Sequence, residues 1–194
     1  MKVGVLAVQG DFEAHGRVLA RLGAKPVYVR APEHLDGLSG LIIPGGESTT
    51  MLKFLENEGL FGAIRSFAAR RPVMGTCAGA ILMATEVTRP SQRSLGLMDI
   101  AVERNAYGRQ VDSHISPVSP LPEFAERAGG GPMEAVFIRA PIIRRVGSEA
   151  RVLLQHQGDP ILVAQSRHLA ATFHPELTSD TRVHGLFLGK TSER

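Results

Sequence analysis

The sequence predicts an α/β protein with a doubly wound, mostly parallel open sheet that is flanked by helices. The first half of the chain alternates continuous apolar runs with amphipathic segments, beginning with the apolar run at residues 2–8. A continuous apolar run is typical of a strand that is buried on both faces of a parallel sheet. After about Leu95 the pattern changes to short strand-like segments with tight connections. We expect these segments to add antiparallel strands in the C-terminal half.

The individual elements follow from apolar spacing and from residues that begin or end helices. In the first half we predict strands at 2–8, 26–30, 40–44 and 72–75, and helices after a capping Asp11, at 49–55, at 60–69 and from Ala78. In the second half we predict strands at 99–103, 135–139, 152–156, 161–165 and 169–173, a surface loop at 117–132 that is glycine-rich between Pro120 and Pro132, and a helix at 179–188. A chain of 194 residues buries one core and is short for two, so we expect a single domain over residues 1–194.

Composition argues against several classes of protein. The net charge of +3 is small and dispersed, which does not favour nucleic acid as a partner. Nothing approaches the roughly 18 consecutive apolar residues of a membrane span, and the first apolar run is too short for a signal peptide. We therefore expect a cytoplasmic protein that does not bind membranes. The single cysteine, Cys77, has no partner for a disulfide, so it is either a buried inert thiol or a reactive one.

Cys77 lies where a predicted strand turns into a predicted helix. The glycines at 75 and 79 give the pattern G-x-C-x-G, which has the spacing of a nucleophile elbow. Such a turn holds the nucleophile in a strained conformation, and the following helix start supplies free N–H groups for an oxyanion, with Ala78 the natural donor. The alternative is a small cysteine in the core, and this motif alone does not decide between them.

A histidine and a carboxylate end the last predicted strand. His174 and Glu176 are two residues apart in an extended segment, so their side chains point to the same side. A carboxylate beside an imidazole fixes its tautomer and stabilises its charged form. The alternative is a solvated strand end with a chance histidine. The other histidines lack a neighbouring carboxylate at a strand end, and we interpret them as surface or structural residues: His15, His34, His114, His156, His168 and His184.

A diglycine loop follows the third predicted strand. Gly45 and Gly46 allow backbone amides to approach a ligand closely. The alternative is an ordinary strand-to-helix loop in which Ser48 or Thr49 caps the helix. It is not a phosphate loop, because no Gly-Lys-Ser/Thr follows.

Three motifs in this order, P-G-G, G-x-C-x-G and H-P-E, resemble the class I (triad) glutamine amidotransferases, which have a flavodoxin-like α/β fold. Further segments make the chain similar to the glutaminase subunits of pyridoxal 5′-phosphate synthase, and the resemblance covers residues 2 to 188. These segments are V-Q-G at 8–10, E-S-T-T at 47–50, V-E-R-N at 102–105, Y-G-R-Q-V-D-S at 107–113, F-I-R-A-P at 137–141 and F-H-P-E-L-T at 173–178.

The resemblance implies a mechanism and a set of site residues. The Cys77 thiolate attacks the side-chain amide of L-glutamine, His174 protonates the departing ammonia, and Glu176 orients His174. A γ-glutamyl thioester forms, and water hydrolyses it to glutamate. The resemblance further implies an oxyanion hole at Gly46 and Ala78. It also implies glutamine-binding residues at Gly46, Glu47, Ser48, Arg104, Ile138 and Arg139.

The resemblance also implies a partner. Ammonia passes through a tunnel into a barrel-shaped synthase subunit, which makes pyridoxal 5′-phosphate from a pentose phosphate and glyceraldehyde 3-phosphate. The family forms a large complex in which each synthase subunit carries one glutaminase, and the glutaminase is nearly idle until it docks. No cofactor and no metal are expected. We hypothesise that the docking surface is the rim near Gln9 and Gly10 with the loop after Gly46.

Three alternatives stay open at this point. The first is a triad glutaminase that serves a different synthase. The second is a non-catalytic binding or chaperone-like protein of the same fold. The third is a peptidase, which the diglycine loop and the arginines at 104 and 139 favour less, because they suit a free amino acid.

Overall fold

The computed structural model describes residues 1–105 and 113–192. In chain order its strands are β1 (Lys2–Leu6), β2 (Lys25–Val29), β3 (Gly40–Ile43), β4 (Val73–Thr76), β5 (Ala84–Thr88), β6 (Met98–Glu103), β7 (Ser113–Val118), β8 (Met133–Ile138), β9 (Ile142–Val146), β10 (Ala150–His156), β11 (Asp159–Gln165) and β12 (His168–Ala171). Its helices are α1 (Phe12–Arg21), α2 (Ser48–Asn57), α3 (Leu60–Ala68), α4 (Ala78–Met83), α5 (Pro122–Ala128) and α6 (Arg182–Ser192), with short 3-10 turns at Pro32–Leu35 and Pro175–Leu177.

The centre of the molecule is a seven-stranded sheet in the order β10-β11-β12-β4-β3-β1-β2. The five strands from β12 to β2 pair in parallel. The strands β10 and β11 extend this sheet with antiparallel pairing. The predicted fold class, a mostly parallel sheet with antiparallel strands from the C-terminal half, is therefore confirmed.

Two hydrophobic clusters cover opposite faces of the central sheet. Successive residues of β3 alternate between them: Leu41 and Ile43 belong to one cluster and Ile42 to the other. The first cluster packs α2, α3 and α4 against the sheet, and the second packs α1, α5 and α6. This is the doubly wound layering that right-handed crossovers between parallel strands produce. Because both clusters share one sheet, we propose that residues 1–194 form a single domain.

Two small sheets add to this frame, and they contain the strands that sequence patterns missed. The strands β5, β6 and β9 form a three-stranded sheet, and β7 pairs with β8. Prediction gave only β6 and β8 of these five. Strand β7 is exposed at Ser113, His114 and Ile115, so it lacks the alternation of apolar and polar residues that identifies a strand.

The prediction of a surface loop at residues 117–132 is wrong in its central part. Strand β7 continues to Val118, and α5 begins at Pro122 and buries Phe124 completely. A helix of seven residues with one fully buried aromatic side chain is too short for a periodic pattern to reveal it. The glycine-rich end of this segment is fixed by a residue from α6. The guanidinium of Arg182 donates to the carbonyl oxygens of residues 129–132 at 2.9–3.1 Å.

None of the helices within the described ranges is long and apolar enough to cross a membrane.

Candidate active site

Cys77 occupies the turn between β4 and α4. Its backbone has φ 49° and ψ −108°, a combination that costs free energy for a residue with a side chain and that clusters at functional sites. The two flanking glycines permit this turn. A Cβ added at Gly75 would lie 2.6 Å from the carbonyl oxygen of Gly79, and one added at Gly79 would overlap the carbonyl oxygen of Ile43. The two glycines of the pattern G-x-C-x-G therefore allow the close backbone contacts that the elbow requires.

Cys77 is 7% exposed, and its thiol has neighbours from two other parts of the chain. Its Sγ lies 3.8 Å from the carbonyl oxygen of Ile138, at the end of β8. His174 interacts with the same thiol, and this interaction contributes to the raised pKa of His174. Gly45 fills the space beside this pair, since a Cβ there would lie 2.6 Å from His174 Cε1 and 3.4 Å from Cys77 Cβ.

His174 and Glu176 follow the carboxyl end of β12, beside β4. His174 Nδ1 donates to Glu176 Oε1 at 2.7 Å, and the Glu176 side chain is fully buried. Burial lowers the pKa of His174, but hydrogen bonds and charge interactions with Cys77 and Glu176 outweigh it and raise that pKa to about 10. With that pKa, His174 carries a positive charge beside Cys77 at neutral pH.

One histidine interpreted as a surface or structural residue lies directly behind the triad. His15 Nε2 lies 3.4 Å from Glu176 Oε2, with both side chains fully buried. Its Nδ1 lies 2.9 Å from Nε2 of His184, a residue 169 positions away in the sequence. The sequence did carry a clue, because His15 has helical spacing to the apolar Phe12 and Val18 of α1.

The predicted glutamine-binding residues line one cavity of about 120 Å³ beside Cys77. They come from four places in the chain: the loop after β3, the residue after β6, the end of β8, and the residue that follows β8. The lining residues are Gly46, Glu47, Ser48, Cys77, Ala78, Ile81, Arg104, Asn105, Ile138, Arg139 and Pro141. Residues 107–112 of the predicted Y-G-R-Q-V-D-S segment lie outside the described residues.

Glu47, and not Ser48 or Thr49, caps the helix α2, which corrects the sequence interpretation. Its carboxylate accepts hydrogen bonds from Thr49 N at 3.1 Å and from Thr50 N at 2.7 Å. Although burial acts in the opposite direction, these bonds lower the pKa of Glu47 to about 2. Arg104 Nη2 reaches the same group, at 3.4 Å from Glu47 Oε1 and 2.9 Å from Thr49 Oγ1. A fixed negative charge and a fixed positive charge thus lie side by side at the cavity.

The remaining predicted residues complete the cavity wall. The Ser48 hydroxyl donates to Gln92 Oε1 at 3.0 Å, so its side chain is held by the protein. Ala78 is the first residue of α4, and its N–H therefore precedes the hydrogen-bonding pattern of the helix. Arg139 is exposed, has a positive φ of 45° and lines the cavity. Across the two described ranges, no cluster of three or more His, Cys, Asp or Glu could hold a metal ion.

An α/β sheet with a cysteine on a strand-to-helix elbow, next to a buried histidine–carboxylate pair, defines a class of enzymes that use a cysteine nucleophile. Residues 5–193 match the family model described as "SNO glutamine amidotransferase family". The chain belongs to the SNO glutamine amidotransferase family.

Curated relatives match over nearly their whole length. A protein of Solibacter usitatus named pyridoxal 5′-phosphate synthase subunit PdxT is 62% identical over 189 residues, covering 97% of this chain and 98% of the relative. The PdxT of Deinococcus radiodurans is 52% identical over 201 residues, covering 100% and 99% of the two chains. The resemblance to this family in the sequence is therefore confirmed.

Solved structures agree with this assignment. A crystal structure described as a glutamine amidotransferase superposes with a TM-score of 0.89 at 44% identity, covering 98% of this chain and 99% of that one. The structure of PurLQS from Thermotoga maritima superposes with a TM-score of 0.74 at 17% identity and covers 97% of each chain. The second comparison shows a shared fold alone.

Proposed function

We propose that this chain is the glutaminase subunit of a pyridoxal 5′-phosphate synthase, which hydrolyses L-glutamine and supplies ammonia to a synthase subunit. One observation carries the chemistry: Cys77, which lies next to the buried His174–Glu176 pair, lines a cavity that Arg104 and Arg139 also line. The names of the relatives support the assignment to this synthase.

The reaction begins with the charged pair of Cys77 and His174. The thiolate adds to the side-chain amide carbon of glutamine, and the carbonyl electrons move onto oxygen, where the N–H groups of Gly46 and Ala78 stabilise the negative charge. The carbonyl re-forms as the carbon–nitrogen bond breaks, and the proton of His174 goes to the nitrogen, so ammonia leaves. Water then attacks the γ-glutamyl thioester with His174 as the base, which releases glutamate and regenerates the thiol.

Charges on the other side of the cavity suit a free amino acid. Arginine binds a carboxylate through two parallel hydrogen bonds, so Arg104 and Arg139 suit the α-carboxylate of glutamine. Glu47 is half exposed and held ionised, so it suits the α-ammonium group. A peptidase would bind a chain without these terminal charges, and a glutaminase is therefore the better fit.

The loop that carries Gly46 also touches the surface near Gln9 and Gly10. Gln9 Oε1 accepts a hydrogen bond from Glu47 N at 3.1 Å, and a Cβ at Gly10 would overlap the carbonyl oxygen of Gly45. A partner that displaces Gln9 would therefore move the oxyanion loop directly. We therefore propose that the rim at Gln9 and Gly10, with the loop after Gly46, is the docking surface for the barrel-shaped synthase subunit. In the proposed large complex, each synthase subunit carries one glutaminase.

The test is glutamate release from L-glutamine, with and without the barrel synthase subunit, for the wild type and for Cys77→Ala. We expect strong stimulation by the partner and loss of activity in the variant, whose unfolding midpoint is measured as a control for folding. Activity that ignores the partner would assign the glutaminase to a different synthase. No glutamate release under either condition would contradict the glutaminase itself and favour a binding protein.

A further inference from the structure

Behind the triad, Glu176 has a second carboxylate oxygen that the His174 bond does not use. Glu176 Oε2 is buried and has no hydrogen-bond partner of ordinary length within residues 1–105 and 113–192. The polar atom beside this oxygen is Nε2 of His15, which lies 3.4 Å from Oε2 and 3.2 Å from Thr76 Oγ1. An unsupported oxygen of a buried carboxylate is costly, so the proton state of His15 decides whether Glu176 is stabilised.

His15 is neutral at physiological pH. Burial first, and then the charges of His184 and His174, hold the pKa of His15 well below its usual range. The other side chains at this ring are Glu176 from the end of β12 and Thr76 from β4. Burial also lowers the pKa of His184 to about 4, with a contribution from Arg21. Each of the two rings therefore carries one N–H.

The position of these two protons follows from the contacts. If His15 holds its proton on Nε2, this N–H donates to Thr76 Oγ1 at 3.2 Å, and Glu176 Oε2 lies beside it at 3.4 Å from the same nitrogen. His15 Nδ1 then accepts from His184 Nε2 at 2.9 Å. His184 Nδ1 is then a bare acceptor, and this is the nitrogen that is buried without a partner in the part of the chain described. The opposite arrangement would place a lone pair of His15 against the carboxylate and bury an N–H of His184 unpaired. The first arrangement is favoured, because an orphaned buried N–H is rarer than an orphaned acceptor.

We propose that His15 is a positioning residue for the glutaminase reaction: its Nε2–H, held by Thr76, places the positive end of a bond dipole 3.4 Å from the second oxygen of Glu176, and His184 fixes the tautomer that makes this possible. The proposal rests on the function proposed above. It extends the line of interacting groups from Cys77 through His174 and Glu176 onto α1 and α6. His15 touches neither glutamine nor Cys77, so it acts only through Glu176.

Loss of the His15 N–H is expected to change turnover rather than glutamine binding. Without the His15 N–H, Glu176 takes up a proton more easily and orients His174 less well. The loss of a polar N–H that lies beside a buried charge without a direct hydrogen bond supports a fall in kcat of about 10-fold. The acid limb of the pH–kcat profile moves to higher pH. The KM for glutamine stays within about 2-fold, since the glutamine-binding residues lie on the other side of Cys77.

The experiment compares His15→Leu with His15→Gln, each assembled with the synthase subunit. Leucine removes the donor, whereas glutamine places an amide N–H near the position of Nε2. We expect His15→Leu to lose kcat and shift the acid limb, and His15→Gln to recover most of both. His168→Gln is the control: it removes a half-buried histidine, which accepts from Val73 N at 3.1 Å, and is expected to lower stability without a shift of the acid limb.

Two results would overturn the proposal. One is an unchanged pH profile in His15→Leu with only a lower unfolding midpoint, which is a purely structural role. The other is a kcat as low in His15→Gln as in His15→Leu. If the wild type released no glutamate, the proposed function would fail separately. His15 would then be tested by the pH dependence of Cys77 alkylation with iodoacetamide, where the same shift in His15→Leu supports it and its absence contradicts it.

Discussion

The two sides of the cavity are built in different ways. On one side, Cys77 lines the cavity with His174 and Glu176 next to it, and we call these three residues the inner wall. They lie at the carboxyl ends of two neighbouring strands of the central sheet and are no more than 8% exposed. The outer wall (Glu47, Arg104 and Arg139) takes its two arginines from the ends of β6 and β8, which belong to the two small sheets. Its Glu47 side chain is 50% exposed.

This difference separates two tasks. Nucleophile and base need positions fixed to a fraction of an ångström, and packed strand ends provide them. Recognition of a free amino acid needs charged groups that extend into the cavity, and long side chains on peripheral elements provide these groups. We therefore expect changes in the inner wall to act mainly on kcat and changes in the outer wall to act mainly on KM.

The largest effect is expected for His174→Asn. The variant removes both the cation that stabilises the Cys77 thiolate and the acid that protonates ammonia. We expect kcat to fall by about 10⁴-fold, as for the loss of a triad member in other nucleophilic enzymes. Steady-state glutamate release measures it, with a denaturant titration to verify that the variant is folded. A fall of less than 10-fold would remove His174 from the reaction.

Glu176→Gln is expected to change the pH range as well as the rate. The hydrogen bond and charge of Glu176 help to raise the pKa of His174 to about 10, so the imidazolium persists until the pH approaches that value. Without the carboxylate this pKa falls, and the alkaline limb of activity moves to lower pH. We expect a loss of about 10²-fold in kcat at neutral pH. A pH–rate profile checks both, and an alkaline limb that stays in place would show that Glu176 does not act on His174.

On the outer wall, Arg104→Met and Arg139→Met should raise the KM for glutamine by about 10- to 100-fold, the value of a charged hydrogen bond, with a smaller effect on kcat. Arg93→Met is the control, because Arg93 pairs with Glu56 and packs over Phe61 away from the cavity. Steady-state kinetics of the assembled complex separate the two constants. If both cavity variants lowered kcat and left KM unchanged, the division between the two walls would be wrong.

The smallest effect is on stability, in a pair of glycine variants. Gly79→Ala brings a methyl group onto the carbonyl oxygen of Ile43, and we expect it to cost about 2 kcal/mol of unfolding free energy. Gly62→Ala lies on the exposed side of α3 with nothing within 4 Å of the added Cβ. That change should stabilise by about 0.5–1 kcal/mol, because alanine is the better helix former. Urea titrations measure both, and equal effects would mean that the elbow does not depend on Gly79.

The inner wall was largely predictable from the sequence, and the reason is local geometry. The elbow around Cys77 and the pair His174 and Glu176 are each encoded within a few residues, so spacing alone places the side chains. The parallel strands were equally visible as continuous apolar runs. The outer wall was predicted only through the family resemblance, since exposed arginines such as Arg104 have no distinguishing pattern of their own.

Contacts between distant parts of the chain escaped prediction. His15, His184 and Glu176 meet only after α1 and α6 pack on the same face of the sheet, and no local pattern records that event. The exposed strand β7 escaped because it lacks an alternation of apolar and polar residues. The helix α5 escaped because seven residues with one buried aromatic side chain are too few for a periodic pattern. The capping role of Glu47 escaped because sequence preference favours Ser48 and Thr49, whereas the observed carboxylate bonds two backbone N–H groups.

The most direct test of the whole account is labelling of the assembled complex with a chloroketone analogue of L-glutamine, followed by mass spectrometry of the modified peptide. We expect one analogue per glutaminase chain, attached to Cys77, with labelling that excess L-glutamine prevents and Arg104→Met slows. Labelling of another residue, or labelling of Cys77 that glutamine does not prevent, would contradict the claim that Cys77 attacks a glutamine held by the outer wall.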